Sequence, residues 1–139
     1  MTTRATRLPQ AFSDTTAALK EAIGETWLYL PFPSSVNRNY RAVKGRVILS
    51  EKYRAWKKQA MLELQAQKAP RLTGKVRVRV TLRAPDKRRR DADNSLKSLM
   101  DCLKDYGVIS DDSNQIVRSI AVEWDDGVGH PCVINLTRA

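Results

Sequence analysis

Apolar and polar positions alternate most regularly in KVRVRVTL, residues 75–82, which predicts a strand with one buried face and one basic face. TWLYLPFP at 26–33 predicts an earlier strand that ends at prolines, and VILS at 47–50 predicts a short strand after a polar, basic loop. IVRSIAVEW at 116–124 and CVINLTR at 132–138 predict two more strands. We expect these last two to form a hairpin around the turn DDGVGHP.

A helical period replaces the alternation twice along the chain. Ser50 is a typical N-cap residue, and a helix is predicted from about Glu51 to Gln67, with a core stripe of Tyr53, Trp56, Ala60 and Leu64. A second helix is predicted between Asp93 and Asp105, ended by a glycine at 107. Its apolar stripe consists of Leu96, Leu99, Met100 and Leu103, and its opposite face carries Asp93, Lys97 and Asp101.

The order of these elements predicts an α+β fold, in which a small mixed β-sheet carries two main helices. A chain of 139 residues has the usual size of one domain. We place that domain at residues 26–139 and treat residues 1–25 as an N-terminal extension. The extension is rich in Thr and Arg at first and then holds AALKEAIG, which predicts either a short helix or a disordered segment.

The charge of the chain narrows the class of partner. With 25 Lys and Arg against 15 Asp and Glu, the net charge is +10, which favours a polyanion and nucleic acid above all. The sequence has neither a long apolar run nor a secretory signal, so we expect a cytoplasmic protein with no membrane partner. Zinc is not expected, because Cys102 and Cys132 stand far apart and His130 is the sole histidine.

Against this basic background, RRRDADNSLK at 88–97 places two carboxylates directly after three arginines. Asp91 and Asp93 lie where a helix is predicted to begin, and free backbone N–H groups with the helix dipole would stabilise acids there. That interpretation explains a single acid more easily than it explains Asp91 and Asp93 together with Asp111 and Asp112. Converging carboxylates need a cation between them, and Mg²⁺ beside phosphate-binding arginines suits phosphodiester hydrolysis.

The remaining candidate residues are basic. Lys97 is either a plain ion-pair partner of Asp93 or Asp101, or a group that contacts the scissile phosphate. A second set of basic residues is expected to contact the DNA phosphates, although charged residues on an ordinary solvated surface would show the same pattern. This set comprises Lys87, Arg88, Arg89 and Arg90, the strand residues Lys75, Arg77 and Arg79, and Arg38 and Arg41 of the early loop.

PFPSSVNRNYR followed by DKRRRDADNSLKSLMDCLKDYGVISDDSNQIV resembles the RusA family of Holliday junction resolvases, which are small endonucleases associated with phages and prophages. The resemblance runs from about Trp27 to the C-terminus. Its motif is a basic run, D-x-D-N, a lysine three residues after the asparagine, and an acidic pair beyond a helix that ends at glycine. Every position of that motif is present here.

The resemblance implies a homodimer with a mixed sheet that cuts four-way junction DNA with paired symmetric nicks, acting in recombination and repair in a bacterial or phage-infected cell. It implies Asp91, Asp93 and Asp112 as ligands of Mg²⁺, with Asp111 less certain, Mn²⁺ as a substitute metal, and a catalytic role for Lys97. Two alternatives stay open at this point. A non-catalytic DNA-binding module would explain the charge, and a D-x-D nucleotide-sugar transferase would explain the two aspartates.

Overall fold

The computed structural model describes residues 24–35 and 40–139, with side chains from Ala42 onward in the second range. The first 23 residues, which hold nearly all of the predicted extension, lie outside the described residues. The strands are β1 (Glu25–Leu30), β2 (Tyr40–Val43), β3 (Arg46–Leu49), β4 (Val76–Leu82), β5 (Val117–Trp124) and β6 (Cys132–Arg138). The helices are α1 (Glu51–Ala66) and α2 (Leu96–Tyr106), and a 3₁₀ turn at Ala92–Ser95 precedes α2.

Four strands form the main sheet in the order β1-β6-β4-β5. The outer strand β1 and the central β4 both run antiparallel to β6, whereas β5 runs parallel to β4. The connection from β4 through α2 to β5 is therefore a crossover, because parallel neighbours require the chain to return along the sheet. This mixed sheet with two helices confirms the predicted α+β fold.

The predicted hairpin between β5 and β6 is wrong, because β4 lies between these two strands. The seven residues DDGVGHP do not form a tight turn but pass over the end of β4. The Asp125 N–H donates to the Leu82 carbonyl at 2.9 Å, and the Arg83 N–H donates to the Pro131 carbonyl at 3.0 Å. A connection of seven residues can span two strand spacings of about 4.8 Å each. There is therefore room between β5 and β6 for β4, the strand whose apolar positions alternate most regularly.

The predicted loop before VILS contains a strand that the pattern did not reveal. Tyr40–Val43 pairs antiparallel with β3 as a separate two-stranded sheet, and Lys44 and Gly45 turn between them with positive φ values of 50° and 75°. The segment was interpreted as a loop because it is polar and basic. A hairpin that packs little of its surface needs no apolar alternation, and Val47 on β3 is 72% exposed.

Both helices pack on one face of the main sheet and follow the predicted stripes. Ser50 caps α1, and its hydroxyl accepts from the Tyr53 N–H at 3.1 Å. Ala60 and Leu64 of α1 and Leu99 and Leu103 of α2 are fully buried in the core that also contains the apolar residues of β4. Gly107 ends α2 as predicted, with a φ of 99° that favours glycine, and no described helix is long and apolar enough to cross a membrane.

The sheet has two ends that matter for the site. At one end of the sheet, β6 begins and three strands finish, namely β1 at Leu30, β4 at Leu82 and β5 at Trp124. We call this the Leu82 end. The Val76 end is the opposite one, where β4 and β5 begin. Since α2 lies in the crossover between β4 and β5, it starts at the Leu82 end and finishes at the Val76 end.

Candidate active site

The segment between β4 and α2 holds Asp91 and Asp93 at the Leu82 end of the sheet. The 3₁₀ turn that contains Asp93 packs against β5. The chain after β1 approaches the same place, since the Ser98 hydroxyl in the first turn of α2 donates to the Ser34 carbonyl at 2.6 Å. The crossover thus puts these acids where a loop, a helix start and several strand ends meet.

Neither Asp91 nor Asp93 is used by the fold in the described part of the chain. Asp91 occupies the N-cap position of the 3₁₀ turn with extended backbone (φ −89°, ψ 133°), but its carboxylate makes no capping hydrogen bond. Both residues are exposed, and neither has an ion pair or side-chain hydrogen bond with another described residue. The interpretation of Asp91 as a helix cap therefore finds no capping contact, and both carboxylates are open to a ligand.

The second acidic pair lies at the Val76 end, beyond the last turn of α2. An Asp112 Oδ1 is 3.9 Å from Nζ of Lys104, which belongs to that turn. Asp111 accepts hydrogen bonds from the Ser113 side chain and the Asp112 backbone, and these hold the pKa of the Asp111 carboxyl below its ordinary value. Asp111 thus serves a local turn, whereas Asp112 is partly exposed with one long ion-pair contact.

The four aspartates do not converge within one copy of the chain. An α-helix of eleven residues is about 16 Å long, and α2 with its eleven residues separates the first pair from the second. Across residues 24–35 and 40–139, no three His, Cys, Asp or Glu side chains lie close enough together to hold a metal ion. The prediction that Asp91, Asp93 and Asp112 share Mg²⁺ stays a prediction, and of the four aspartates only Asp91 and Asp93 lie at the Leu82 end.

Lys97 lies one turn after Asp93, and its ammonium donates to Asp101 Oδ1 at 3.0 Å. Its side chain remains 53% exposed, while that of Asp101 is only 16% exposed. The i,i+4 pair predicted for Lys97 and Asp101 is present. Such an i,i+4 pair contributes only about 0.3–0.5 kcal/mol, so the bond to Asp101 holds the ammonium weakly.

Two of the four residues Lys87–Arg90 are held by Asp86, which sequence reasoning missed. Arg90 donates to both oxygens of Asp86, at 2.6 and 3.1 Å, and Arg88 Nε donates to Oδ2 at 3.2 Å. These bonds hold the pKa of Asp86 well below its ordinary value and raise the pKa of Arg90. The i,i+4 spacing of Asp86 and Arg90 could have indicated this ion pair. Such a spacing predicts a contact only within a helix, and no helix is predicted at these residues.

The Asp86 contacts divide the basic loop into two kinds of arginine. The Arg90 guanidinium lies 5.6 Å from the Phe32 ring centroid and its side chain is 21% exposed, so Arg90 tethers the loop to the segment after β1. Phe32 in turn stacks on Trp124 with ring centroids 6.1 Å apart. Lys87 and Arg89 are exposed and have no ion pair with a described residue, which leaves them open to phosphate.

The other basic residues named from the sequence lie elsewhere. Arg77 and Arg79 alternate with the buried residues of β4 and therefore lie on the sheet face away from the helices. Arg79 is 3.9 Å from Glu123, and Arg77 donates to the Arg138 carbonyl at 3.2 Å. Lys75 is exposed just before β4, Arg38 lies outside the described residues, and Arg41 belongs to β2 by its backbone.

Comparison with known proteins shows a family and named relatives to which this chain is similar. The family described as "Endodeoxyribonuclease RusA" matches residues 31–134, a range that includes both acidic pairs. A protein of Aquifex aeolicus named crossover junction endodeoxyribonuclease RusA is 39% identical over 85 residues, which cover 60% of this chain and 67% of that protein. Its namesake in Enterobacteria phage HK97 is 30% identical over 105 residues, 72% of this chain and 88% of the phage protein. The namesake in Escherichia coli K12 is 35% identical over 94 residues, 63% of this chain and 73% of that protein.

Proposed function

Because the chain belongs to the RusA family of endodeoxyribonucleases, we propose that it is a DNA endonuclease that resolves Holliday junctions. It acts as a homodimer, cuts two symmetry-related strands, and serves recombination and repair. The observation that carries this proposal is the exposed pair Asp91 and Asp93, which the described fold does not use and which follows a basic loop directly. The names of the relatives, crossover junction endodeoxyribonucleases, support the substrate class.

Asp91 and Asp93 are the residues that would hold Mg²⁺, with Mn²⁺ as a substitute. Their exposure and their lack of partners among the described residues suit a hydrated hard cation, which takes one or two carboxylates and completes its shell with water and phosphate oxygens. When bound, the metal would supply Lewis-acid polarisation of the phosphate and a more acidic water. Asp112, with Asp111 less certain, is the further carboxylate of the proposed set.

The side chains around this pair orient the DNA and stabilise charge. Lys97 is on the first turn of α2 and reaches the same end of the sheet, where its ammonium would stabilise negative charge on the phosphate oxygens. Lys87 and Arg89 bind the flanking phosphates as exposed cations. Arg90 has a positioning role, because its bonds to Asp86 and its contact with Phe32 fix the loop that carries Asp91.

A cleavage assay tests the function. Purified protein is incubated with a synthetic four-way junction and, separately, with a linear duplex made from the same arm sequence, each with and without Mg²⁺. We expect metal-dependent paired nicks in the junction and little cutting of the duplex. Binding without any nicking in Mg²⁺ or Mn²⁺ would instead identify a DNA-binding module, and preference for a nucleoside diphosphate over DNA would indicate a transferase.

A further inference from the structure

The hairpin of β2 and β3 stands apart from the rest of the described chain. Its strands pair with each other and with no other described strand, and neither packs closely on a described helix or on the main sheet. Ala42, Lys44, Arg46 and Val47 are exposed, and the exposed fraction of Val47 is 72%. We call residues 40–49 the basic hairpin. Because it adds little to the core, its side chains are available for another task.

The basic hairpin is attached on both sides at the Leu82 end of the sheet. Before it, the segment after β1 is held by the Ser98 hydroxyl, which donates to the Ser34 carbonyl at 2.6 Å. After it, α1 begins, and the indole N–H of Trp56 donates to the Pro31 carbonyl at 3.3 Å. Pro31 directly follows β1 at this end. The basic hairpin is therefore anchored beside the first acidic pair, where the proposed cleavage takes place.

The charge of the basic hairpin is uniformly positive. The sequence has no Asp or Glu between Glu25 and Glu51, and the cations in that interval are Arg38, Arg41, Lys44 and Arg46. Lys44 and Arg46 are exposed, and neither has an ion pair with a described residue. An exposed positive hairpin at the end of the sheet that holds the proposed active site is complementary to the phosphates of DNA.

The tip of the basic hairpin is a tight turn between two unlike faces. Lys44 and Gly45 are its central residues, and their φ values of 50° and 75° match the hairpin turn in which both residues are left-handed. Ala42 lies opposite Val47 and shares its face, whereas Arg46 lies on the other face. The tip therefore exposes an apolar face next to a cationic one.

The apolar face fits a feature of branched DNA that a duplex lacks. Phosphates are present in both kinds of DNA, so contacts to phosphate alone do not tell them apart. The faces of the bases are suited to apolar contact, but in a continuous duplex each is covered by the next base pair. At a branch point the stack of base pairs is interrupted. An exposed apolar side chain between cations is therefore suited to the bases at that point.

We propose that the basic hairpin recognises the branch point of the junction. Lys44 and Arg46 bind the phosphates that border the branch point, and Val47 packs on the face of a base where the stack ends. This inference rests on the proposed nuclease function, and it supplies the contact by which a four-way junction differs from a duplex. Apolar side chains placed between base steps hold DNA unstacked in other protein complexes, which is the role assigned to Val47.

A fluorescent base at the branch point tests the role of Val47. A four-way junction carries 2-aminopurine, which becomes brighter when it is unstacked, in the base pair next to the branch point, and it is titrated with protein without metal. We expect the wild type to raise the fluorescence and Val47→Ser to lose most of that rise. Val47→Ser should also lower the ratio of junction affinity to duplex affinity at least about fivefold, because it loses the buried apolar contact.

Two matched variants isolate the apolar contact, and two others isolate the charge. Val47→Ile keeps a branched apolar side chain and should retain both the fluorescence rise and the preference for the junction. Leu62→Ser changes another exposed apolar residue, 52% exposed on α1, and should change neither quantity. Lys44→Gly removes an ammonium and keeps the turn, because glycine favours a positive φ. Lys44→Gly and Arg46→Ala should each flatten the salt dependence of junction binding, by roughly 0.9 in the slope for each lost phosphate contact.

The outcomes separate this inference from the proposed function. If the wild type binds junction and duplex equally well, the nuclease proposal fails and this inference fails with it. If the wild type prefers the junction and Val47→Ser keeps that preference and the fluorescence rise, only the contact at the branch point is overturned. A change of oligomeric state in Val47→Ser by light scattering, with unaltered DNA binding, would also overturn it and would assign the basic hairpin to an interface between copies of the chain. An unchanged circular dichroism spectrum verifies that each variant is folded.

Discussion

The acidic pairs at the two ends of α2 have the same composition and different environments. Asp91 and Asp93 are exposed and have no ion pair with a described residue, although one of them occupies an N-cap position. Asp111 accepts from Ser113, and Asp112 lies 3.9 Å from Lys104. The described fold therefore does not use the carboxylates of the first pair, whereas in the second pair one carboxylate belongs to a turn and the other is partly exposed.

The arginines before Asp91 show the same division on a smaller scale. The Arg90 side chain is only 21% exposed, forms an ion pair with Asp86 and lies over the Phe32 ring. Arg89, its neighbour, is exposed and has no described ion pair. Adjacent residues of the same type therefore have different tasks, because one side chain points to Asp86 and the other to solvent.

The largest effect is expected from the carboxylates. Asp93→Asn and Asp112→Asn should each lower the cleavage rate at least about a thousandfold, because loss of a ligand removes several kcal/mol of charge stabilisation. Asp111→Asn should cost less than about tenfold, since that carboxylate already serves the Ser113 turn. Single-turnover cleavage of a labelled junction measures all three, with junction affinity in Ca²⁺ as the control. Equal losses for Asp111 and Asp112 would remove the distinction within the second pair.

A smaller loss is expected at Lys97. Lys97→Ala should lower the cleavage rate on the order of a hundredfold while junction affinity changes little, which is the scale of one lost charge contact in the transition state. Lys58→Ala, an exposed lysine on α1, is the matched control and should leave both quantities unchanged. If Lys97→Ala weakened affinity and rate in proportion, the residue would act as a phosphate anchor alone.

The two arginines should separate in a salt titration of junction binding without metal. Each phosphate contact adds roughly 0.9 to the slope of log K against log salt, so Arg89→Ala should reduce that slope by roughly 1.8 for a dimer. Arg90→Ala should change the slope less and lower the melting temperature instead, because Arg90 holds the loop through Asp86. A slope unchanged by Arg89→Ala would move the DNA surface to Arg77 and Arg79 on the opposite sheet face.

The smallest effect concerns stability in acid. The pKa of Asp111 is lowered from its ordinary value of 3.8, chiefly by the Ser113 hydrogen bond. A lowered pKa in the folded state stabilises the fold above the unfolded pKa, and that contribution is lost as pH falls through the folded value. Asp111→Asn should therefore slightly lower the melting temperature at neutral pH, and the difference from wild type should vanish as the pH falls through the lowered pKa of Asp111. A difference that persists in stronger acid would show that the hydrogen bond works without the charge.

Local structure was predictable wherever one signal was strong. The alternation in β4, the Ser50 cap and the left-handed Gly107 each rest on a residue whose preference no neighbour opposes, and all three were confirmed. Asp86 was missed because its partners Arg88 and Arg90 face it only in an irregular loop. The strand Tyr40–Val43 was missed because the segment that contains it is polar and basic, and its partner β3 has only four residues.

The sequence by itself determined the residue types of the site, the D-x-D-N spacing, the helix that follows it and the excess of positive charge. Only the tertiary structure decided that β4 separates β5 from β6 and that α2 holds Asp91 and Asp112 at opposite ends. Spacing along a chain fixes neighbours within one helix or strand, because those geometries repeat every few residues. The distance between two loops depends on the direction in which a crossover runs, and that direction is set by strand order, which packing of the whole sheet selects.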